Sequence, residues 1–453
     1  MASVTVTGAN NHILTVQLNG VTNFTVAQQF AAIINDAAAG STLTAYDAGP
    51  GAAAPALAHG NLGEAVVLTA QPDVHMPDGY IFLTDVAATA TTVTGASNGF
   101  NGVLSGTQGV TLDAGTANGL FVAGGGANTF NGAATAGANG GVGSYFVATG
   151  DGRDTINAGV GNDTVDAGAG ANVVNLGSGA SVVLSESNDQ INAGSGTALV
   201  FLEGSHATVA GSTGSLMVAA SGAYEQVSLG AGGGTIFGGT QSTYNLAGSA
   251  AVIGSDGVNT INVNQAAATV FAGTGNDMVF GPTGHGALTF IGGAGSSTVV
   301  GGSAAVTLFG ADGGTTTLTG TGANLVGVGT GAKVDASMAT GSNVFFGGGA
   351  ASTILGGSGA DVFVVGAGAT SLTGGAGAAN MFDFVASVTA GATDVISDFK
   401  ASDRLAISGY KADAAADVLR SATVSGGSTT VTLSDQTKIV FQNYTNLNAG
   451  NFS

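Results

Sequence analysis

Cysteine and tryptophan are absent from the chain, and proline occurs only 5 times among 453 residues. Without cysteine, neither a disulfide framework nor a thiolate metal site can form. Glycine, in contrast, occurs 81 times, and it does so without a Gly-X-Y period. Abundant glycine with so little proline excludes collagen and does not fit a disordered Pro/Ser-rich linker.

Basic residues are also scarce, with 7 Lys and Arg against 27 Asp and Glu and a formal net charge of -20. Nucleic-acid binding needs clustered basic side chains, so this balance argues against a nucleic-acid partner. The acids are mostly Asp, since only Glu64, Glu186, Glu203 and Glu225 are Glu. Short Asp side chains are expected where carboxylates must reach a cation held against tight backbone turns.

Long apolar runs are missing as well. No uninterrupted stretch approaches the roughly 20 residues of a membrane-spanning helix, so we predict no membrane span. The first eight residues lack the basic start and apolar run of a cleavable signal peptide. Taken alone, these two observations would favour a cytoplasmic protein.

A nine-residue repeat occupies the middle of the chain. Residues 149–184 hold four consecutive nonamers without a gap, TGDGRDTIN, AGVGNDTVD, AGAGANVVN and LGSGASVVL, and residues 140–148 continue the phase. The pattern returns at 272–280 and 356–364, and more weakly at 123–131, 254–262 and 292–300. A fixed short period of this kind predicts a solenoid of stacked repeats.

The residue types within the nonamer predict its structure. Glycine falls at the second and fourth positions, Asp or a small polar residue at the sixth, and an apolar residue at the eighth. This order predicts a tight turn and then a short strand whose eighth residue points into a core. Two nonamers make one coil. The eighth-position residues are Val147, Ile156, Val165, Val174 and Val183.

The flanking regions have a different pattern. Strand-like alternation at 3–7 and 12–18 precedes a helix that we expect to begin at Thr25 and to end at Gly40. Its predicted apolar stripe is Val26, Phe30, Ile33, Ile34 and Ala37. We therefore predict an all-β protein with three parts: a small α+β N-terminal module over 1–95, a glycine-rich solenoid over 96–385 and a β-rich C-terminal cap over 386–453.

The nonamer resembles the Gly-Gly-x-Gly-x-Asp-x-U-x repeat of RTX (hemolysin-type calcium-binding) proteins, where U is a large apolar residue. Residues 356–364 (GGSGADVFV) match it at every defined position. Residues 394–399 (DVISDF) and 403–407 (DRLAI) resemble the closing region of proteins exported by type I secretion. The resemblance covers roughly residues 120–453. It implies a parallel β-solenoid of the β-roll kind, Ca²⁺ as cofactor, and a secreted protein that folds outside the cell.

The same resemblance implies a set of calcium ligands. In the family, each ion lies between stacked turns and is held by backbone carbonyls of the Gly-x-Gly segment and by the sixth-position Asp. An amide or hydroxyl oxygen in that slot, as at Asn172 and Ser181, is a weaker ligand for a hard cation. Asp394, Asp398 and Asp403 are equally compatible with calcium binding and with capping. The full candidate set is Asp151, Asp154, Asp163, Asn172, Asp277, Asp361, Asp394, Asp398 and Asp403.

The sequence offers no convincing catalytic constellation. The five histidines form no His-Glu-x-x-His pair, and the match to a nucleophile elbow at 95–99 (GASNG) lacks a strand-turn-helix context. The basic residues are too dispersed to line a cleft for acidic sugars. A flat Thr/Asn ladder of the ice-binding kind would need Thr274 and Asn276 to recur at the third and fifth positions, which they do not. We predict that the protein is not an enzyme.

The remaining interpretation is structural. Outer faces rich in small and β-branched residues, with few charges, pack closely against copies of themselves, and open solenoid ends present unpaired strand edges. Contacts of this kind that do not close generate filaments. The leading prediction is therefore an extracellular filament, surface-layer or biofilm-matrix subunit that polymerises head-to-tail or laterally. Alternatives are a carbohydrate-binding adhesin on cell-surface polysaccharide and, less favoured, a polysaccharide-modifying enzyme.

Overall fold

The structure is a computed structural model that describes residues 2–8, 11–18, 21–69, 71–106, 108–254, 257–349, 351–377, 379–386 and 388–453. The chain forms two compact units, residues 1–234 and residues 235–453. Strand β22 (Gly234–Phe237) contains the last residue of the first unit and the first residues of the second.

The first unit contains one helix and twenty-one strands within the described residues. They are β1 (Ala2–Thr7), β2 (Ile13–Leu18), α1 (Val21–Ala39), β3 (Leu43–Asp47), β4 (Leu62–Val67), β5 (Val74–His75), β6 (Phe82–Asp85), β7 (Thr91–Thr94), β8 (Phe100–Ser105), β9 (Val110–Asp113), β10 (Asn118–Ala123), β11 (Thr129–Asn131), β12 (Tyr145–Thr149), β13 (Thr155–Asn157), β14 (Thr164–Asp166), β15 (Val173–Asn175), β16 (Ser181–Ser185), β17 (Gln190–Asn192), β18 (Ala198–Leu202), β19 (Thr208–Ala210), β20 (Leu216–Ala220) and β21 (Gln226–Leu229).

These strands form a parallel β-solenoid with two sheets. The even sheet contains β3 and the even-numbered strands β4 to β20, each paired in parallel with the next. The odd sheet contains the odd-numbered strands β5 to β21 in the same arrangement. Val165 pairs with Val183, and Ile156 with Val174, two nonamers further along the chain. One coil is therefore two nonamers, as the repeat predicted.

The eighth position of the nonamer forms the core. Val147, Ile156, Val165, Val174 and Val183 all have 0% exposed surface. Burying one such side chain is worth about 1.5–3 kcal/mol relative to leaving it in water, and the parallel register stacks each on the equivalent residue of the next coil. The predicted all-β parallel solenoid is confirmed.

The N-terminal region differs in detail from the expectation. Parallel pairing already begins at β3, upstream of the boundary expected at 95, because β4 and β6 continue the even sheet without any nonamer signature. Helix α1 begins at Val21 rather than Thr25 and ends before Gly40, whose N–H donates to Asp36 O at 2.9 Å. Where the chain divides into functional domains stays a prediction.

The buried face of α1 is rotated from the predicted stripe. Phe30, Ile34 and Ala37 of the predicted stripe are buried, together with Ala27 and Ala31, whereas Ile33 is 50% exposed. Spacings of three and four residues place the five buried residues on one face, and Ile33 falls outside it. This face and the antiparallel pair β1–β2 pack on the outward side of the first strands of the even sheet, around Phe82, Leu104, Leu120 and Val122.

The second unit contains one α-helix, a short 3₁₀ helix and twenty-one strands within the described residues. They are β23 (Thr243–Leu246), β24 (Ala250–Ile253), β25 (Thr260–Val263), β26 (Ala267–Phe271), β27 (Met278–Phe280), β28 (Ala287–Ile291), β29 (Ser296–Val300), β30 (Val306–Phe309), β31 (Thr315–Gly320), β32 (Leu325–Gly327), β33 (Lys333–Ala339), β34 (Val344–Phe346), β35 (Ser352–Leu355), β36 (Val362–Val365), β37 (Thr370–Thr373), β38 (Met381–Val385), β39 (Thr393–Ile396), β40 (Arg404–Ser408), α2 (Ala414–Arg420), β41 (Thr423–Ser425), β42 (Ser428–Thr432), β43 (Lys438–Phe441) and the 3₁₀ helix Ala449–Asn451.

The second unit repeats the two-sheet architecture. Its even sheet runs from β24 to β40 and its odd sheet from β23 to β39, with parallel pairs throughout. Strand β43 extends the odd sheet beside β39, and β41 and β42 complete an antiparallel end. Phe363 stacks between Phe345 and Phe382 in the core, with ring centroids 5.0 and 4.8 Å apart. Among the described residues, no helix is long and apolar enough to cross a membrane.

Candidate metal-binding turns

The sixth-position residues lie where each turn enters its strand, and all are buried. Asp154, Asp163 and Asp361 are 1% exposed, and Asp277 is 2% exposed. One carboxylate oxygen of each accepts a backbone hydrogen bond from the preceding coil. Tyr145 N–H donates to Asp163 Oδ1 at 2.8 Å, and Asn343 N–H donates to Asp361 Oδ1 at 2.8 Å. The sixth-position side chain therefore ties successive coils together.

Asparagine performs the same bridging task at several turns. Asp154 N–H donates to Asn172 Oδ1 at 2.9 Å, and Asp361 N–H donates to Asn380 Oδ1 at 2.9 Å. Asn128 Nδ2 in turn donates to Asp154 Oδ1 at 3.0 Å, and Asn259 Nδ2 donates to Asp277 Oδ1 at 3.1 Å. Asn172, which the sequence suggests as a weak metal ligand, is thus engaged in bonds between coils.

Several residues that bridge coils in this way were not predicted from the sequence. Asn128 and Asn259 occupy the sixth position of the weaker nonamers at 123–131 and 254–262, so their role could have been inferred from the phase. The role of Asp189 could not be inferred from the phase, because its coil is one residue shorter than the two-nonamer repeat. Its Oδ1 nevertheless accepts Asn172 N–H at 2.9 Å, and its Oδ2 accepts Ser185 Oγ–H at 2.7 Å.

The second carboxylate oxygen divides the candidate ligands into two groups. Oδ2 of Asp154, Asp163, Asp277 and Asp394 is buried and accepts no hydrogen bond of normal geometry. Asp163 is the clearest case, because weaker hydrogen bonds from Thr149, Gly273 N–H and Thr370 still reach the carboxylates of Asp154, Asp277 and Asp394. A buried carboxylate oxygen left unsatisfied costs free energy unless a cation is present. These four turns therefore fit a bound metal ion.

The other candidates are satisfied by the protein itself. Gly357 N–H donates to Asp361 Oδ2 at 2.8 Å, and Lys400 N–H donates to Asp403 Oδ2 at 2.8 Å. Asp398 accepts from Gly374 N–H at 2.6 Å and from Gly375 N–H at 2.8 Å, one bond on each oxygen. These three carboxylates accept hydrogen bonds on both oxygens and so brace their turns, while the choice between calcium binding and capping at Asp398 and Asp403 stays a prediction.

Burial raises the pKa of the half-satisfied carboxylates. The pKa of Asp163 rises to about 7 and that of Asp154 to about 6, with desolvation as the main cause in both. Desolvation also raises the pKa of Asp394 to about 7. At neutral pH each of these carboxylates is therefore more stable beside a cation than with its negative charge unpaired.

Asp151 lies outside the sixth-position slot. Its charge helps raise the pKa of Glu186, after desolvation and the charges of Glu203 and Asp189. Among the described residues, no three His, Cys, Asp or Glu side chains converge as a metal site. A cation at these turns would thus be held by few carboxylates and by other oxygen donors.

Backbone carbonyl oxygens of the glycine turns can supply these further metal ligands, because successive turns stack unusually closely. A Cβ atom added to Gly177 would lie 1.4 Å from Gly159 O, and one added to Gly275 would lie 1.4 Å from Gly257 O. Oxygen ligands from carboxylates and main-chain carbonyls are those that Ca²⁺ prefers.

The stacking predicts that Gly275→Ala strongly destabilises the second unit, by roughly 3 kcal/mol or more, because the methyl group must displace backbone. Gly284→Ala is the matched control, since a Cβ there meets nothing within 4 Å. Thermal unfolding followed by circular dichroism should show a large fall in the midpoint for the first variant and almost none for the second. Equal midpoints would mean that the turns are less tightly stacked than described.

Stacked glycine turns with buried, half-satisfied aspartates define a solenoid of cation-binding repeats. The family model of the RTX calcium-binding nonapeptide repeat (4 copies) matches residues 149–183, 253–286 and 339–372. The chain therefore carries RTX calcium-binding repeats of the hemolysin type in these segments, and repeats of this kind bind Ca²⁺. The matched segments contain Asp154, Asp163, Asn172, Asp277 and Asp361. No match was found among curated proteins.

Proposed function

We propose that this protein is a secreted, calcium-binding structural subunit whose copies self-assemble into an extracellular filament, surface layer or biofilm matrix. One observation carries the proposal: the second unit has an uncharged, largely apolar outer face on its even sheet, from β24 to β36. We call it the apolar face. It is formed by two adjacent outward columns, Ile253, Phe271, Ile291, Phe309, Gly327, Phe346 and Val364, and Ala251, Thr269, Thr289, Thr307, Leu325, Val344 and Val362.

The apolar face is exposed to solvent. Phe271 is 39% exposed, Phe309 47% and Phe346 45%. Monomeric soluble proteins seldom leave a continuous row of large apolar side chains in water, and such patches usually mark interaction surfaces. Charged residues enter the two columns only beyond this face, at Asp383 and Arg404.

The partner that fits this face is a second copy of the chain. The net charge of -20 makes copies repel one another, so contact is favoured where neither copy carries charge. At strand spacings of about 4.8 Å, the face measures roughly 35 by 13 Å, or ~900 Å² for two copies together. That is close to the ~1,000 Å² of a specific interface. A contact of this size is weak in one pair and becomes strong when repeated in an assembly.

The first unit shows how such a face is covered when the chain supplies a partner. There, α1 and the β1–β2 pair lie over the outward side of the even sheet, and Phe30 packs edge-on against Phe82 with ring centroids 5.1 Å apart. In the second unit the corresponding side chains remain exposed, so a covering element from another copy would complete the same kind of packing.

Calcium would serve assembly by straightening and stiffening the coils. We propose Asp154, Asp163, Asp277 and Asp394 as its carboxylate ligands, with carbonyls of the neighbouring glycine turns as the others. Asn172, Asp361, Asp398 and Asp403 would then brace the turns, and Asp151 would contribute negative charge. When bound, the ion neutralises buried carboxylates that otherwise repel the folded state. The RTX repeats and the closing segment support type I export, with folding completed in calcium outside the cell.

Assembly can be tested with one substitution on the apolar face. Phe309→Lys introduces a charge that each copy must desolvate on contact, so we expect the variant to remain monomeric in millimolar calcium, where the unaltered protein assembles. Light scattering and electron microscopy measure the difference. Met338→Lys is the matched control, because Met338 is 65% exposed on the odd sheet of the same unit, and this variant should assemble normally.

Two outcomes would contradict the proposal. If the unaltered protein is monomeric both in calcium and in chelator, the adhesin alternative becomes the better one. If Phe309→Lys assembles as well as Met338→Lys does, the apolar face is not the contact. The absence of enzymatic activity stays a prediction from the sequence.

A further inference from the structure

A groove on the odd sheet of the second unit combines planar amides with an exposed aromatic ring. Its volume is about 560 Å³. The side chains that matter for recognition are Asn245, Asn262, Asn264, Gln265, Phe280 and Thr283. The groove lies on a different sheet from the apolar face, and no sixth-position aspartate lines it, so neither the assembly nor the calcium sites account for it.

Strand register aligns the central residues of the groove. Asn245 of β23 pairs with Asn262 of β25, and Asn262 pairs with Phe280 of β27, so the three form one outward column. Asn262 Nδ2 donates to Asn245 Oδ1 at 2.8 Å, which fixes the planes of both amides. Phe280 continues the column with a ring that is 37% exposed. The two amides are thus held in fixed relative positions before any ligand arrives, with the ring next to them in the column.

The chemistry of this lining selects a class of ligand. Amide side chains offer both donors and acceptors, and the ring offers an apolar surface. No side chain of the groove carries a charge. A ligand that alternates hydroxyl groups with apolar C–H faces, and carries no charge, matches all three properties, and pockets of this size are typical for small ligands. The protein's charge of -20 further disfavours an anionic ligand.

We propose that this groove binds a neutral saccharide, with a hexose ring stacked on Phe280 and its hydroxyl groups bonded to Asn262, Asn264 and Gln265. The site would let an assembled subunit attach to a neutral polysaccharide. It goes beyond the proposed structural function, because the groove is available whether or not copies of the chain associate.

Isothermal titration calorimetry and ligand-observed NMR can test the site on the full chain in calcium. The probes are the neutral disaccharides cellobiose, maltose and N,N′-diacetylchitobiose, with digalacturonate as the anionic comparison. We expect at least one neutral probe to bind with a Kd below about 10 mM and digalacturonate not to bind. Phe280→Ala and Asn262→Ala should each weaken binding about tenfold or more.

Met278→Ala is the matched control, because Met278 lies on the same strand in the adjacent outward column, is 42% exposed and does not line the groove. This variant should bind as the unaltered protein does, and circular dichroism melting should confirm that all three variants fold. The Phe309→Lys variant should also bind normally, which separates this site from assembly. No binding by any neutral probe, or equal affinities for Phe280→Ala and Met278→Ala, would overturn the proposal.

Discussion

In excess chelator at pH 8, the protein is expected to melt about 10 °C or more below its midpoint in millimolar calcium. The structure leaves one buried oxygen of Asp154, Asp163, Asp277 and Asp394 without a hydrogen bond of normal geometry. A ligand that binds only the folded state stabilises it by roughly 3 kcal/mol for each site at a hundredfold excess over Kd. Four such sites would together contribute roughly 11 kcal/mol, which is comparable with the whole stability of an ordinary domain.

The direction of the pH dependence separates calcium binding from general salt effects. Burial raises the pKa of Asp163 and of Asp394 to about 7, against the usual 3.8. The metal-free folded state therefore binds protons that the unfolded chain has already released between pH 4 and 7. Its stability should fall as pH rises through that window and stay low above it.

Calcium should reverse this trend, because it binds the ionised carboxylates and must compete with protons below about pH 7. Circular dichroism melts at pH 5 and pH 8, each with calcium and with chelator, measure both directions. Millimolar magnesium is the control for ionic strength, since Mg²⁺ sheds its water reluctantly and fits a carbonyl-lined turn poorly. Identical midpoints in calcium and in chelator at pH 8 would refute calcium-linked folding.

The coil architecture could be predicted from the nine-residue period of the sequence. A period of nine with an apolar eighth residue can only bury that residue if coils stack in register, and Val147, Ile156 and Val165 are accordingly buried. The N-terminal coils could not be predicted in this way, because their sequence lacks the nine-residue period. Strand β4 is parallel to β3 and β6, yet none of the three belongs to a nonamer, and parallel pairing leaves no local signature when the turns vary in length.

The sequence motif could not predict which of the candidate carboxylates keep an oxygen without a hydrogen bond, because that depends on where nearby backbone N–H groups lie. Asp163 and Asp361 both occupy the sixth position of a nonamer. At Asp361 the turn bends so that Gly357 N–H reaches Oδ2, whereas Oδ2 of Asp163 has no such donor. The presence or absence of one backbone donor within the turn thus separates a carboxylate with both oxygens bonded from one with a single oxygen bonded.

Asp163→Asn is expected to change stability in opposite directions with and without calcium. An amide can keep the bond from Tyr145 N–H to Oδ1, since Asn172 does the same for Asp154 N–H in the neighbouring column of turns. In chelator at pH 8 the substitution removes a buried, unpaired negative charge, so the variant should melt above the unaltered protein. In millimolar calcium it removes a ligand, so the variant should melt below it.

Asp361→Asn is the matched control, because it makes the same chemical change where both oxygens already accept hydrogen bonds. Asn343 N–H and Gly357 N–H each donate to the carboxylate at 2.8 Å, and an amide can accept only one of them without turning its own N–H groups toward the other. The unpaired donor costs about 1–3 kcal/mol, so this variant should be the less stable protein in calcium and in chelator alike. A crossing of stabilities at Asp163 but not at Asp361 would identify the unpartnered oxygen as the metal ligand, whereas parallel losses at both positions would leave Asp163 a bracing residue like Asp361.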